Sequence, residues 1–214
     1  MEFSRTLDLA VNAFVQRIAA AVVALKDPRL VDVVPALGGL ALHFDPAVDG
    51  DVLETAAALV DECLAAGLPK AAGEERVVEV PVCYEPEFAL DLEEVCARTR
   101  LSKEAVIEKH CASEFRVLMI GFAPGHAYMG GLNPKLSLPR RSSPRAIVPA
   151  GSVAIANDQT VVYPYAISGG WSIIGRTPLT VFDADRQEPS LFAAGDRVRF
   201  KPISRADFDK LVSR

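Results

Sequence analysis

Seven short β-rich runs occupy the second half of the chain: Phe115–Ile120, Ala146–Val148, Ser152–Ala156, Thr160–Tyr163, Trp171–Gly175, Thr180–Phe182 and Arg197–Pro202, punctuated throughout by Gly and Pro. So many short strands laid out as an open sheet would leave exposed edges. Their spacing predicts an all-β unit, either a sandwich or a closed barrel, and closure favours the barrel because it removes the edges altogether.

The first half has a different texture. Leu7, Val11, Phe14, Ile18, Ala21, Val22 and Leu25 recur at three- and four-residue steps, which predicts an amphipathic helix over about Ser4–Leu25, ending before Pro28. Val31–Val34 and Leu40–Phe44 read as a hairpin around Pro35, Gly38 and Gly39. Asp51 opens a second helix with Val52, Ala56, Leu59, Val60, Cys63 and Leu64 inward, stopped by Gly67 and Pro69, and Val77–Val82 is a further strand. The order helix, strand, strand, helix, strand is that of a ferredoxin-like α+β unit without its first strand. Lys70–Glu75 reads as a linker, which divides the chain near Gly73 into residues 1–73 and 74–214. Beyond it, Asp91 and Glu94 form a capping box for one short helix, and Ser102 caps another through about Cys111.

That helix pair superficially resembles a DNA-binding helix-turn-helix. Its second helix balances Lys103 and Lys109 against Glu104 and Glu108, in a chain of net charge −5. A neutral helix on an acidic protein is poorly built to neutralise phosphates, so nucleic acid is not expected as a partner. Ile18–Leu25 is too short to span a bilayer, which needs about 20 apolar residues, and a cytoplasmic protein is expected. Cys63, Cys83, Cys96 and Cys111 form no CxxC pair, and no metal-ligand spacing occurs among the three histidines. Free thiols and no metal site follow. Gly-x-x-x-x-Gly-Lys-Ser/Thr, Gly-x-Gly-x-x-Gly and Gly-x-Ser-x-Gly are all absent.

The candidate chemistry gathers between Gly121 and Arg176. His43 and His110 read as structural or solvated, but His126 sits in Gly121-Phe122-Ala123-Pro124-Gly125-His126-Ala127-Tyr128-Met129-Gly130-Gly131, whose glycines and proline hold a defined loop. There His126 and Tyr128 can donate hydrogen bonds to a carbonyl or carboxylate, and a histidine can also move a proton near neutral pH. The run Pro139-Arg140-Arg141-Ser142-Ser143-Pro144-Arg145 offers three planar cationic forks suited to a carboxylate, phosphate or carbamate. Gln159, Tyr163, Trp171 and Arg176 complete the set. Trp171 is either a core residue with a partnered indole N–H or an anchor at a protein interface. Asp183 and Asp185 flank a turn and read as structural.

Several runs in order carry a family resemblance: Pro81-Val82-Cys83-Tyr84, Asp91-Leu92-Glu93-Glu94-Val95, Gly121-Phe122-x-Pro124-Gly125, Tyr128-x-Gly130-Gly131-Leu132, Pro139-Arg140-Arg141, Val148-Pro149-Ala150-Gly151-Ser152-Val153, Gln159-Thr160, Tyr163-Pro164, Gly169-Gly170-Trp171, Ile174-Gly175-Arg176-Thr177-Pro178 and Gly195-Asp196. On these the chain closely resembles the allophanate hydrolase subunit 1 family, which takes in the B subunit of 5-oxoprolinase and the KipI inhibitor of a histidine kinase. The resemblance implies a ferredoxin-like N-terminal domain, a cyclophilin-like β-barrel and one half of a carboxyltransferase module. A homologous second subunit, similar to the C subunit of 5-oxoprolinase or to allophanate hydrolase subunit 2, would supply the other half, and an A-type subunit would join them. It further implies a hydrolase subunit, inactive alone, in a complex that opens 5-oxoproline to glutamate at the expense of ATP. Arg140, Arg141, Arg145, Ser152, Tyr163 and Arg176 would bind substrate, His126, Tyr128 and Gln159 would be catalytic, and Trp171 would face the partner. The other readings are a urea carboxylase-type accessory subunit, with biotin brought by a partner, and a histidine-kinase regulator. The family usually has an apolar residue where His126 stands, Gly at the positions of Asn157 and Val161, and a strand before the opening helix.

Overall fold

The computed structural model describes residues 1–47, 50–69 and 76–212 and divides into two compact units, Met1–Glu75 and Arg76–Arg214. The linker expected at Lys70–Glu75, with the boundary near Gly73, lies outside the described residues.

In the first unit, helix α1 spans Leu9–Leu25. It begins later than its periodicity suggests because the Asp8 carboxylate accepts from the N–H groups of Ala10 and Val11, which fixes the N-terminus there. Strands β1 (Leu30–Pro35) and β2 (Leu40–Phe44) pair antiparallel, and Asp51 caps helix α2, Val52–Ala66. Val15, Ile18, Ala19 and Val22 of α1 pack with Leu40, Val60 and Cys63 into one cluster. Burying each larger aliphatic side chain contributes about 1.5–3 kcal/mol. The expected first strand takes the form of a single bridge, Glu2 to Gly39, flanked by Leu40 N–H donating to Met1 O at 2.9 Å. Close approach requires glycine here, since a Cβ on Gly38 would stand 2.4 Å from Ser4 O.

The second unit holds β3 (Val77–Val82), α3 (Leu92–Thr99), α4 (Lys103–Cys111), β4 (Phe115–Ile120), β5 (Ala127–Gly130), β6 (Arg145–Val148), β7 (Ser152–Ala156), β8 (Gln159–Val162), β9 (Ile167–Gly169), β10 (Ser172–Arg176), β11 (Arg197–Pro202) and α5 (Arg205–Val212). Seven strands form one sheet in the order β10-β7-β8-β5-β4-β11-β3. Its ends meet: Cys83, just past β3, and Arg176, ending β10, exchange backbone hydrogen bonds of 2.8 and 3.0 Å. The sheet is thereby a nearly closed barrel. A side chain at Gly175 would prevent the closure, because its Cβ would lie 2.6 Å from Val82 Cγ1 and 3.0 Å from Cys83 O.

Three sequence expectations need correction. Val77–Val82 is not the last strand of the N-terminal sheet; it pairs in parallel with β11 inside the barrel. Ala127–Gly130, expected as loop, is strand β5, held between β4 and β8. Thr180–Phe182 is not a strand and contributes only the bridge from Phe182 to Ser190. The barrel interior is filled by Val80, Val82, Phe115, Val117, Ala127, Met129, Val153, Ile155, Val162 and Ile174, and is closed by Leu92, Val95 and Val106 of α3 and α4. Those two helices therefore bury their inward faces as packing helices. The opposite face of the sheet is covered by the β6–β9 ribbon, where Val148 and Ile167 pack with Ala154, Val161, Tyr163, Trp171 and Ile173.

Candidate functional site

Strand alternation decides which side chains share a face. In β5, Ala127 and Met129 enter the barrel, so His126 and Tyr128 point to the outer face. In β8, Val162 enters the barrel, so Gln159, Val161 and the following Tyr163 point outward. The turn before β5 presents His126: Gly121 N–H donates to His126 O and His126 N–H to Ala123 O, both at 3.0 Å, with Phe122 at φ 71° and Gly125 at φ 74°. A Cβ on Gly125 would lie 2.7 Å from Phe182 Cβ, so glycine is required by space as well as by φ.

The result is a chain of ring contacts on the outer face. The His126 ring centroid lies 5.4 Å from Phe122, 4.9 Å from Tyr128 and 5.3 Å from Tyr163, and Tyr128 lies 6.0 Å from Trp171, all edge-to-face. His126 is 2% exposed and its Nδ1 is buried with no hydrogen-bond partner. Burial pushes its pKa down to about 4, so the imidazole is neutral. Burial likewise raises Tyr128 and pushes Tyr163 up to about 12, while the Arg140 charge acts in the opposite direction on both hydroxyls. Gln159 is buried on the same face with its Nε2 unpartnered, paired with Gly130 two strand positions, or about 7 Å, from the Tyr128–Val161 pair. Trp171, the expected interface residue, is 6% exposed and packed within this chain.

The arginines separate into groups. Arg145 binds Asp91 with both Nη atoms, at 2.8 and 2.6 Å, and Arg141 Nη1 reaches Asp91 Oδ1 at 2.9 Å and Glu94 Oε2 at 2.8 Å. Ile173 N–H donates to the same carboxylate at 2.7 Å. Asp91, expected to cap α3 through its side chain, makes no such capping bond; two guanidinium groups and a strand N–H outcompete the helix terminus because charge-assisted bonds are the stronger. Arg141 and Arg145, expected to bind substrate, are thus engaged inside the chain. Arg140 is exposed and makes no ion pair among the described residues. Arg176 donates from Nε to Ala150 O at 2.7 Å, its guanidinium lies 5.8 Å from the Phe88 ring centroid, and it lines a separate cleft of about 290 Å³ with Gly151, Thr177 and Thr180. Ser152, opposite Arg176 in the β7–β10 register, is buried at that end of β7, whereas Gln159 faces Ala156 at the other end.

A second buried polar chain was not apparent in the sequence. Thr160 Oγ1 donates to Ala154 O at 3.1 Å, which leaves it to accept from His110 Nε2 at 3.2 Å, so His110 Nδ1 accepts from Tyr84 Oη at 2.9 Å. Burial holds His110 down to about 3 and therefore neutral. His110 is thus structural. No described helix is long and apolar enough to cross a membrane.

Comparison with known proteins agrees with this architecture. Residues 1–192 match the carboxyltransferase domain, subdomain C and D. The B subunit of 5-oxoprolinase from Bacillus subtilis is 39% identical over 97% of this chain and 90% of its own. The crystal structure of TTHA0988 superposes with a TM-score of 0.82 at 37% identity over 95% of this chain, which spans 39% of the length of that one. The urea carboxylase of Kluyveromyces lactis shares the fold alone, with a TM-score of 0.75 at 17% identity over 98% of this chain and 21% of its own. Match and relatives agree across nearly the whole length, and the chain belongs to the carboxyltransferase subdomain C and D family, in which its relatives are the B subunits of 5-oxoprolinases.

Proposed function

We propose that this chain is a cytoplasmic subunit of a 5-oxoprolinase-type complex, which opens 5-oxoproline to glutamate with ATP, and that it is inactive without a homologous second carboxyltransferase-like subunit and an A-type subunit. The relatives' name supplies the reaction. One observation supports the site: a wall of uncharged hydrogen-bonding groups, His126, Tyr128 and Tyr163, stands within electrostatic reach of a single uncommitted cation, Arg140. Such a wall suits a ligand with one carboxylate and one amide. Arg140 would take the carboxylate, and the imidazole, hydroxyls and Gln159 amide would hold the ring amide and the oxyanion formed when it is attacked. The wall carries one arginine and no glycine-rich phosphate loop, so it does not suit a triphosphate, and ATP is assigned to the partner subunits.

Reconstitution with the two partners tests the reading. ATP-dependent release of glutamate from 5-oxoproline is expected only when this chain is present. Arg140→Ala should raise KM by roughly 10- to 100-fold, the worth of a charge-assisted hydrogen bond. No turnover in the complete mixture, or wild-type KM in Arg140→Ala, would refute the assignment.

A further inference from the structure

The loop that carries Arg140 is fixed on both sides. Asn157 N–H donates to Leu138 O at 2.6 Å, just before Pro139, and Arg141 N–H donates to Gly170 O at 2.8 Å, just after. The guanidinium groups of Arg141 and Arg145 converge on Asp91, which is 4% exposed and also tied to β10 by two bonds, Asp91 N–H to Ile173 O at 2.8 Å and Ile173 N–H to Asp91 Oδ2 at 2.7 Å. Two of the three cations in this loop are therefore neutralised by one buried carboxylate anchored on the barrel, and only Arg140 remains for a ligand.

We propose that Asp91 is a positioning residue: through Arg141 and Arg145 it fastens the Pro139–Arg145 loop to β10 and so aims Arg140 at the wall of His126, Tyr128 and Tyr163. The inference rests on the proposed function for the identity of the ligand but not for the geometry. Without the Asp91 charge, two guanidinium groups that share Oδ1 would repel each other, and the loop between Leu138 and Gly170 would lose the restraint that sets the direction of Arg140.

A mutant cycle in the reconstituted complex tests the assignment. Asp91→Asn keeps an oxygen for Ile173 N–H and removes the charge; it should raise KM for 5-oxoproline about tenfold while kcat stays within about twofold, the pattern of lost ground-state binding. Adding it to Arg140→Ala should change KM no further, because a residue acting only through Arg140 has nothing left to position. Additive effects would overturn the proposal. Should Asp91→Asn fail to fold, Arg145→Gln, at the partly exposed end of the same pair, is expected to give the same non-additive KM change. A second readout needs neither partners nor turnover. In the full chain labelled with fluorotyrosine, the Tyr128 resonance should titrate at higher pH in Arg140→Ala, since a nearby cation favours the phenolate, and should move the same way in Asp91→Asn or Arg145→Gln. An unmoved Tyr128 titration in any of these folded variants refutes the proposal even if 5-oxoproline proves not to be the substrate.

Discussion

Acidification from pH 7 to pH 5 should destabilise the barrel unit well before its carboxylates begin to protonate. His110 and His126 are held neutral in the fold, pushed down to about 3 and about 4 by burial, whereas in the unfolded chain each titrates near ~6.5. Between those values the unfolded chain binds protons that the folded chain does not, so stability is full above the unfolded value and falls as pH drops toward the folded ones. Each histidine contributes a slope of up to about 1.4 kcal/mol per pH unit. At pH 5 each therefore costs about 2 kcal/mol, and the pair about 4 kcal/mol, out of a typical domain stability of about 5–15 kcal/mol. Urea denaturation at pH 7, 6 and 5 measures the loss, with the single tryptophan, Trp171, as an internal reporter of the outer face of the barrel. His126→Phe should halve the slope. At pH 7 the same variant should be more stable by about 1–3 kcal/mol, since it removes the unpartnered Nδ1 from an aromatic surround. A wild-type slope in His126→Phe would refute the reasoning, because it would mean that His126 carries the same charge folded and unfolded.

Three further outcomes follow from packing and pairing. Gly175→Ala drives a methyl group into Val82 and the Cys83 carbonyl at the barrel seam, which should cost about 1–3 kcal/mol and lower Tm by about 3–10 °C in a thermal melt. Asp91→Ala strands two guanidinium groups and the Ile173 N–H, so urea denaturation should show a loss of about 3–5 kcal/mol against a smaller loss for Asp91→Asn; equal losses would contradict the pairing. Tyr84→Phe leaves His110 Nδ1 without its donor and should destabilise by about 1–3 kcal/mol, whereas His110→Phe in that background should recover part of the loss.

Local pattern was informative wherever a segment's own residues decide its structure. Leu40–Phe44, Phe115–Ile120, Ser152–Ala156 and Arg197–Pro202 are apolar-rich runs, and each is a strand over the residues expected. Asp51 and Ser102 cap helices as their positions suggest. Ala127–Gly130 was hidden because glycine-rich sequence reads as loop; what makes it a strand is pairing with β4 on one side and β8 on the other. Barrel closure was equally hidden, since Cys83 and Arg176 are far apart in sequence and nothing local marks either as a seam. The mistaken strand at Thr180–Phe182 has suitable residues but only one bridging partner, Ser190, and no neighbouring strand to extend it.

Asp91 shows why the site resisted the same approach. Its Asp-x-x-Glu setting is a sound local signal for a helix cap, and the three arginines of Pro139–Arg145 are a sound signal for an anion site. Each signal is correct about chemistry and silent about distance. Once the chain folds, the acid meets two of the cations, so the supply of positive charge for a ligand becomes what remains after internal pairing rather than what the sequence counts. Arg176 keeps its charge but sits at the seam with Ala150 and Phe88, at the Ser152 end of β7. Arg140 keeps its charge beside Tyr128 and Tyr163. The same reasoning raises His126, because a buried polar atom without a partner costs about 1–3 kcal/mol, and a fold that retains one on the face where a free cation stands gains nothing in stability from it. Arg140 and His126, one uncommitted and one unpartnered, are therefore where substitution should separate binding from stability: Arg140→Ala should weaken binding at unchanged stability, and His126→Phe should raise stability while slowing turnover.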